Sequence, residues 1–461
     1  MSDELTWAPA WQIRERIAKG ELSAVEVLDH FLGRIEEHDP VLKAFRHVDH
    51  EGARAQAAAA DAAVKRGDEL GSLHGIPISV KEHIAVAGLP VMMVGAAGGA
   101  DRKARNDDLG IARLRDAGAV IVGTNTMMGT QAPAPGQYNW EAEARNPWDP
   151  TRAPGWSSSG GAATAAARLL PIAIGSDGGG STRLPGAYSG VIGVHPTAGL
   201  VPSFNYSVKM RRNPTGTIGP LARDSVDAAI TMQAMAGPDG RDFDCIQTDP
   251  PDYLAHLDDG IEGMRLAWTD DYGFASMYAF DESPRVIAAV RDAARGLTAL
   301  GATLEPTGET WEDFFPGLAG TSFLFAPPSV ASPMPETAAW VAAIDVRDRN
   351  WRTFREVLRT HDVLVSPTTQ LLAPTIEDWA ARWAGDGPVP FPHGTFAPHY
   401  TSHTHMFNWL GFPALSVPCG FVDGLPVGLQ LVGWPGSEDT LFRVAHAFLK
   451  ANPRDERPPV S

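Results

Sequence analysis

The chain of 461 residues carries only two cysteines, Cys245 and Cys419. They lie far apart and have no metal-ligand spacing, so neither a disulfide framework nor a zinc site built on them is expected. Positive charge is also in deficit. Lys plus Arg number 38 against 55 Asp plus Glu, a formal net charge of −17, which disfavours nucleic-acid and anionic-membrane partners by long-range repulsion. Runs of about 18 apolar residues, the length that spans a bilayer, are missing. The N-terminus lacks a basic stretch followed by an apolar one. An unexported, cytoplasmic protein is therefore expected, as a monomer or homodimer without nucleic-acid or membrane partners. The G-x-S-x-G elbow is absent too. Its nearest approach, "GWSSS" at 155–159, has Ser159 where the last glycine belongs, which disfavours a Ser-His-Asp enzyme of the α/β-hydrolase type.

What is present is an ordinary core-forming composition, 44% hydrophobic and 20% charged. Ser23 and Glu26 make a capping-box pattern ahead of Leu28, Phe31, Leu32 and Ile35, which predicts an amphipathic helix over 23–37. Short β-rich runs then alternate with helical ones: strand at 75–80, helix at 110–118, strand at 119–124, and a buried strand at 169–175. That alternation predicts an α/β protein with a layered sheet. Strands at 362–367, 413–420 and 426–433 return to the same sheet. One domain over 1–461 is expected, with a variable substrate-facing insertion around 240–350 that holds one clear helix at 284–302.

The stretch "IGSDGGGSTRLPG" (174–186) ends a predicted strand in three glycines and a serine. Consecutive glycines let backbone N–H groups converge into an anion-holding nest, and beside the Ser181 hydroxyl such a nest is a candidate oxyanion hole. A plain strand-to-helix turn is the competing reading, against which Asp177 and Arg183 offer hydrogen bonds that would fix the loop. A serine nucleophile needs a base. Lysine serves when burial removes the water that stabilises its ammonium. Lys81, at the end of the apolar run "HGIPISVKEHI", meets that condition, although pairing with Glu82 is the alternative. Between these elements "RAPGWSSSGGAAT" (152–164) supplies Ser157, Ser158 and Ser159, either as a proton relay or as a helix cap.

Together, "LHGIPISVKEHI", "NPWDPTRAPGWSSSGG" and "GSDGGGSTRLPG…GVIGVHPT" resemble the three ordered motifs of the amidase signature hydrolases. The resemblance extends over most of the chain and is weakest at 240–350. It implies a central mixed β-sheet covered on both faces by helices. It also implies Ser181 as nucleophile, Ser157 as bridging serine after a cis Trp156–Ser157 bond, and Lys81 as base. The oxyanion donors would be backbone N–H groups of Gly178, Gly179, Gly180 and Ser181, with Ser158, Asp177 and Arg183 in support. The chain departs from the family at Trp156 and Gly178, where glycine and a larger residue are usual, and at His195, where lysine is frequent.

The expected reaction is acyl transfer from a small-molecule amide or carbamate, without metal or organic cofactor. A glutaminase subunit of an aminoacyl-tRNA amidotransferase is the second expectation. Met128 and Trp156 are the pocket candidates, with Met92, Met93, Met127, Phe323 and Phe325 as further apolar residues. His393, His399, His403 and His405 contain an H-x-H pair but lack accompanying ligands of convincing spacing.

Overall fold

The protein is described by a computed structural model covering residues 2–92, 103–128, 139–203, 216–316, 337–384 and 398–461. Met93, Phe323, Phe325 and His393 lie outside the described residues.

Eleven strands among the described residues form one mixed sheet. In chain order they are β1 (Phe45–Val48), β2 (Pro77–Lys81), β3 (Val120–Asn125), β4 (Ile172–Asp177), β5 (Ile192–His195), β6 (Thr217–Ala222), β7 (Arg265–Trp268), β8 (Thr303–Pro306), β9 (Val363–Pro367), β10 (Ala414–Val422) and β11 (Leu425–Val432). Across the sheet they run β1-β3-β2-β4-β6-β5-β10-β11-β9-β7-β8. Successive side chains in a strand point to opposite faces. Every residue of β2, β3, β9 and β11 is buried, so both faces of the sheet are covered.

Several elements follow directly from the local sequence. The helix Ala24–Leu42 starts at Ser23, whose hydroxyl accepts from the Glu26 N–H while the Glu26 carboxylate accepts from the Ser23 N–H. It buries Val27, Leu28, Phe31, Leu32 and Ile35. The helix Leu109–Asp116 feeds β3. The described residues of the interval 240–350 are more regular than its composition suggests: they contribute β7 and β8 to the common sheet and the helix Ser283–Arg295. β7 and β8 have only four residues each and escape a periodicity argument, which needs longer windows.

The placement of the site rests on β2 and β4, which are parallel neighbours with Val80 opposite Ile174. Parallel strands end on the same side of a sheet, so Lys81 and the Ser176–Asp177 pair emerge together at their C-terminal ends. The helix Ser159–Ala166 enters β4 and is built only of Ser, Gly, Ala and Thr, all buried. Its small residues permit close approach. A Cβ on Gly160 would stand 2.3 Å from the Ala44 carbonyl oxygen. Gly160→Ala therefore forces backbone to move, with an expected stability loss of about 1–3 kcal/mol; urea unfolding would register it as a lower midpoint at unchanged m-value.

Candidate active site

Lys81 is 1% exposed. Its Nζ lies 2.7 Å from Ser157 Oγ, 2.9 Å from Ser158 Oγ and 3.0 Å from Ser176 Oγ. Glu82 does not take it up. The Glu82 carboxylate instead accepts from the Met127 N–H at 2.8 Å and stands 3.6 Å from Arg46 Nε. Burial pushes the Lys81 amine down to about 7, against the upward pull of Asp177 and Glu82. The neutral amine is thus far more accessible than in an exposed lysine.

The serine cluster does open a helix, but its side chains turn elsewhere. Ser158 is the residue before Ser159–Ala166 and makes no side-chain cap. Its hydroxyl donates to the Ser176 carbonyl at 3.1 Å. The Ser158 N–H donates to the Ser181 carbonyl at 3.2 Å, which ties the two serine-bearing segments together. The Trp156–Ser157 peptide is cis, and the Ser157 carbonyl accepts from the Met128 N–H. Ser181 is 6% exposed. Among the described residues its hydroxyl makes no hydrogen bond, so Lys81 and Ser157 are joined while the link from Ser157 to Ser181 is open.

The glycine turn is held from beneath by Asp177. Its carboxylate accepts from the Gly180 N–H at 2.6 Å, the Thr182 N–H at 3.1 Å, the Thr182 hydroxyl at 2.8 Å and Asn408 Nδ2 at 2.8 Å, and it pairs with Arg183 Nε at 3.0 Å. Burial, the largest single influence, raises this acid, but the Arg183 charge together with the neighbouring His195 and the hydrogen bonds from Arg183 and Asn408 outweighs it and holds Asp177 well below the usual carboxylate range. His195 Nδ1 is 3.9 Å away. Burial, with Arg183 nearby, lowers that imidazole to about 3, so it stays neutral and Arg183 balances the charge. The Gly180 N–H is therefore spent on Asp177. The N–H groups of Gly178, Gly179 and Ser181 make no hydrogen bond among the described residues. Gly180 has φ +122°, and a Cβ there would fall 2.3 Å from Thr404 Oγ1. Thr404 Oγ1 in turn donates to the Gly179 carbonyl at 2.8 Å.

Beside the serines, Met128, Ala153 and Trp379 form a buried apolar cluster that Trp156 packs against. Trp156 meets Trp379 edge to face at 5.5 Å, and Trp379 stacks on Tyr400 at 5.3 Å. Met128 and Trp156, taken separately from sequence, thus share one wall. Of the described histidines, His405 lies against the glycine turn, where a Cβ on Gly179 would stand 3.1 Å from its Nδ1. His403 Nε2 lies 2.9 Å from the Asp270 carbonyl, and His399 stacks on Phe280. Among the described residues no group of three or more His, Cys, Asp or Glu is arranged to hold a metal, and no helix is long and apolar enough to cross a membrane.

Ser176, His83, Thr404, Asn408 and Trp379 are site neighbours that sequence reasoning did not select. Ser176 sits inside the glycine motif, and His83 is two residues after Lys81 with its Nε2 3.2 Å from Ser176 Oγ. Proximity to the motifs was the signal that could have found these two. Thr404, Asn408 and Trp379 arrive from distant sequence.

A mixed sheet that brings a desolvated lysine, a serine cluster and a glycine turn to one edge has the architecture of the amidase class of carbon–nitrogen hydrolases. The amidase family model matches residues 26–311 and 328–442, and the chain belongs to that family. The chain is 31% identical to a glutamyl-tRNA(Gln) amidotransferase subunit from Desulforudis audaxviator, over 98% of this chain and 97% of that one. A bacterial aryl acylamidase of the amidase signature family has the same fold, with TM-score 0.82 at 23% identity over 98% of each chain. The peptide amidase from Stenotrophomonas maltophilia superposes with TM-score 0.75 at 26% identity, again over 98% of each.

Arg183 is the group whose loss should be felt most. Arg183→Met strands the Asp177 carboxylate in the core, and its expected cost is about 3–5 kcal/mol, read from chemical unfolding alongside retained or lost turnover.

Proposed function

We propose that this protein is a serine hydrolase that cleaves the carbon–nitrogen bond of small amides through an acyl-enzyme on Ser181. The observation that carries the reading is the buried Lys81 amine within hydrogen-bond distance of Ser157. Neutral Lys81 accepts the Ser157 proton, Ser157 accepts the proton of Ser181, and the Ser181 oxygen attacks the carbonyl carbon. The open Ser157–Ser181 link closes when substrate settles over the turn, since catalytic hydrogen bonds often tighten only in the complex. The negative oxygen of the tetrahedral intermediate is held by the N–H groups of Gly178, Gly179 and Ser181, while Gly180 shapes the turn through Asp177. Collapse of the intermediate breaks the carbon–nitrogen bond, and the relay run backwards delivers the proton to the leaving amine. Water then repeats the attack and frees the acid.

The wall of Met128, Trp156 and Trp379 supports substrates with an apolar or aryl group. Carbamates and amide oligomers are compatible with the same acylation chemistry. A second reading, the glutamine-hydrolysing subunit of an aminoacyl-tRNA amidotransferase with a protein partner, is favoured by the name of the relative that is 31% identical over nearly the whole chain. Turnover of an anilide and its matched carbamate by the isolated chain supports the first reading. Glutamine as the sole good substrate, together with a co-purifying subunit, supports the second.

On the first reading, Ser181→Ala forms no acyl-enzyme and Lys81→Ala loses about 10²–10⁴-fold in kcat, the usual contribution of a general base. The pH profile follows the same amine. The base acts unprotonated, so kcat/KM rises with pH through about 7. Glu82 helps hold the Lys81 pKa up. Glu82→Gln keeps an acceptor for the Met127 N–H and removes the charge, so the acid limb moves to lower pH. A limb that stays in place or moves upward contradicts this assignment.

A further inference from the structure

Three hydroxyls surround the Lys81 amine, and a neutral amine has only two N–H groups and one lone pair. The lone pair must face Ser157 for the relay to work. Its distances to Ser157, Ser158 and Ser176 are 2.7, 2.9 and 3.0 Å, too similar to decide the pattern by themselves. The hydrogens decide it. Ser158 already gives its O–H to the Ser176 carbonyl, so toward Lys81 it accepts. Ser176 is the remaining competitor for the lone pair. Its Oγ lies 3.2 Å from His83 Nε2. If that nitrogen is the acceptor, Ser176 spends its O–H on the imidazole and can only accept from Lys81, whose second N–H has that hydroxyl, or the Ser176 carbonyl at 3.4 Å, as its acceptor, and the lone pair is left to Ser157 alone. With the proton on Nε2 instead, Ser176 is released to turn its O–H onto Lys81 and compete.

We propose that His83, acting through Ser176, is a positioning residue that aims the Lys81 lone pair at Ser157. The inference rests on Lys81 being the base, as set out above. His83 touches neither substrate nor the reacting atoms. Burial and the neighbouring Lys81 keep its imidazole well below the ordinary histidine range, hence neutral, and in the tautomer proposed here its Nε2 is the acceptor of the Ser176 hydroxyl. The proton of that neutral ring then sits on Nδ1, a buried atom with no protein hydrogen-bond partner among the described residues. Which nitrogen carries it is a measurable property of the wild-type protein.

The test uses the full chain, a simple anilide, and the variants His83→Phe and His83→Gln beside Lys81→Ala and Ser181→Ala. The phenylalanine variant fills the space without an acceptor, and its kcat is expected to fall by about tenfold, less than the roughly 10²–10⁴-fold of losing the base itself, with KM little changed. The glutamine variant, whose side-chain oxygen can take the Ser176 proton, is expected to recover most of that loss. Nitrogen-15 shifts of the wild-type ring are expected to report the proton on Nδ1, a readout that holds even where a variant fails to fold. A ring protonated on Nε2, an unchanged kcat in His83→Phe, or equal losses in both His83 variants would overturn the inference. Turnover retained in Lys81→Ala would instead remove the base assignment beneath it, so the two failures are distinguishable.

Discussion

The buried ion pair of Asp177 and Arg183 is the constraint on which the rest of the site depends. Both side chains are sealed from solvent, where the desolvation of two charges is repaid only if every lone pair and N–H finds a partner. Here the partners come from across the chain. Arg183 donates to the Thr404 carbonyl and to Gln430 on β11, and Asn408 donates to both the side chain and the carbonyl of Asp177. The same carboxylate holds the Gly180 and Thr182 N–H groups. One ion pair thus fixes the glycine turn, the start of the helix Arg183–Ser189 and the segment 404–408 against one another. The turn owes its shape to a charge beneath it, and the glycines only permit that shape.

Desolvation acts in opposite senses on the two charged groups of this site. Asp177 stays ionised because a guanidinium is in contact with it. Lys81 has no such partner in contact among the described residues, only hydroxyls and a carbonyl, and its charged form is destabilised. A carboxylate against Nζ would restore the ammonium and end its use as a base. The pairing of Lys81 with Glu82, a fair reading of adjacent residues in a sequence, fails because successive residues of an extended chain point to opposite sides, and Glu82 follows directly on the last residue of β2. Glu82 is directed instead to the Met127 N–H and Arg46. From there it acts on the amine by charge alone.

Much of the fold and the chemical part of the site were legible because they are local. The capping box at Ser23, the apolar run into Lys81 and the strand leading into the glycines each fit within about a dozen residues, and the structure places elements there within a few positions. What was illegible is non-local or short. β7 and β8 are four-residue strands recognised only by their neighbours. Thr404 and Asn408 lie more than two hundred residues from the turn they support, and no spacing rule connects such positions. The oxyanion set illustrates the boundary. All four N–H groups of 178–181 look equivalent in sequence, and only the hydrogen bond to Asp177 separates Gly180 from the others.

Trp156 gains a physical role in this setting. It precedes Ser157, the bridging serine of the proposed relay, and its ring packs with Trp379 and Met128 in an apolar cluster. Water reaching Lys81 would solvate the ammonium and raise its pKa toward the free value. On the proposed reading, apolar bulk next to Ser157 works against hydration of that ammonium and so favours a neutral base. On that reading, a residue that looks like an obstruction in the motif is an apolar neighbour of the relay, held in place by the Trp379 ring.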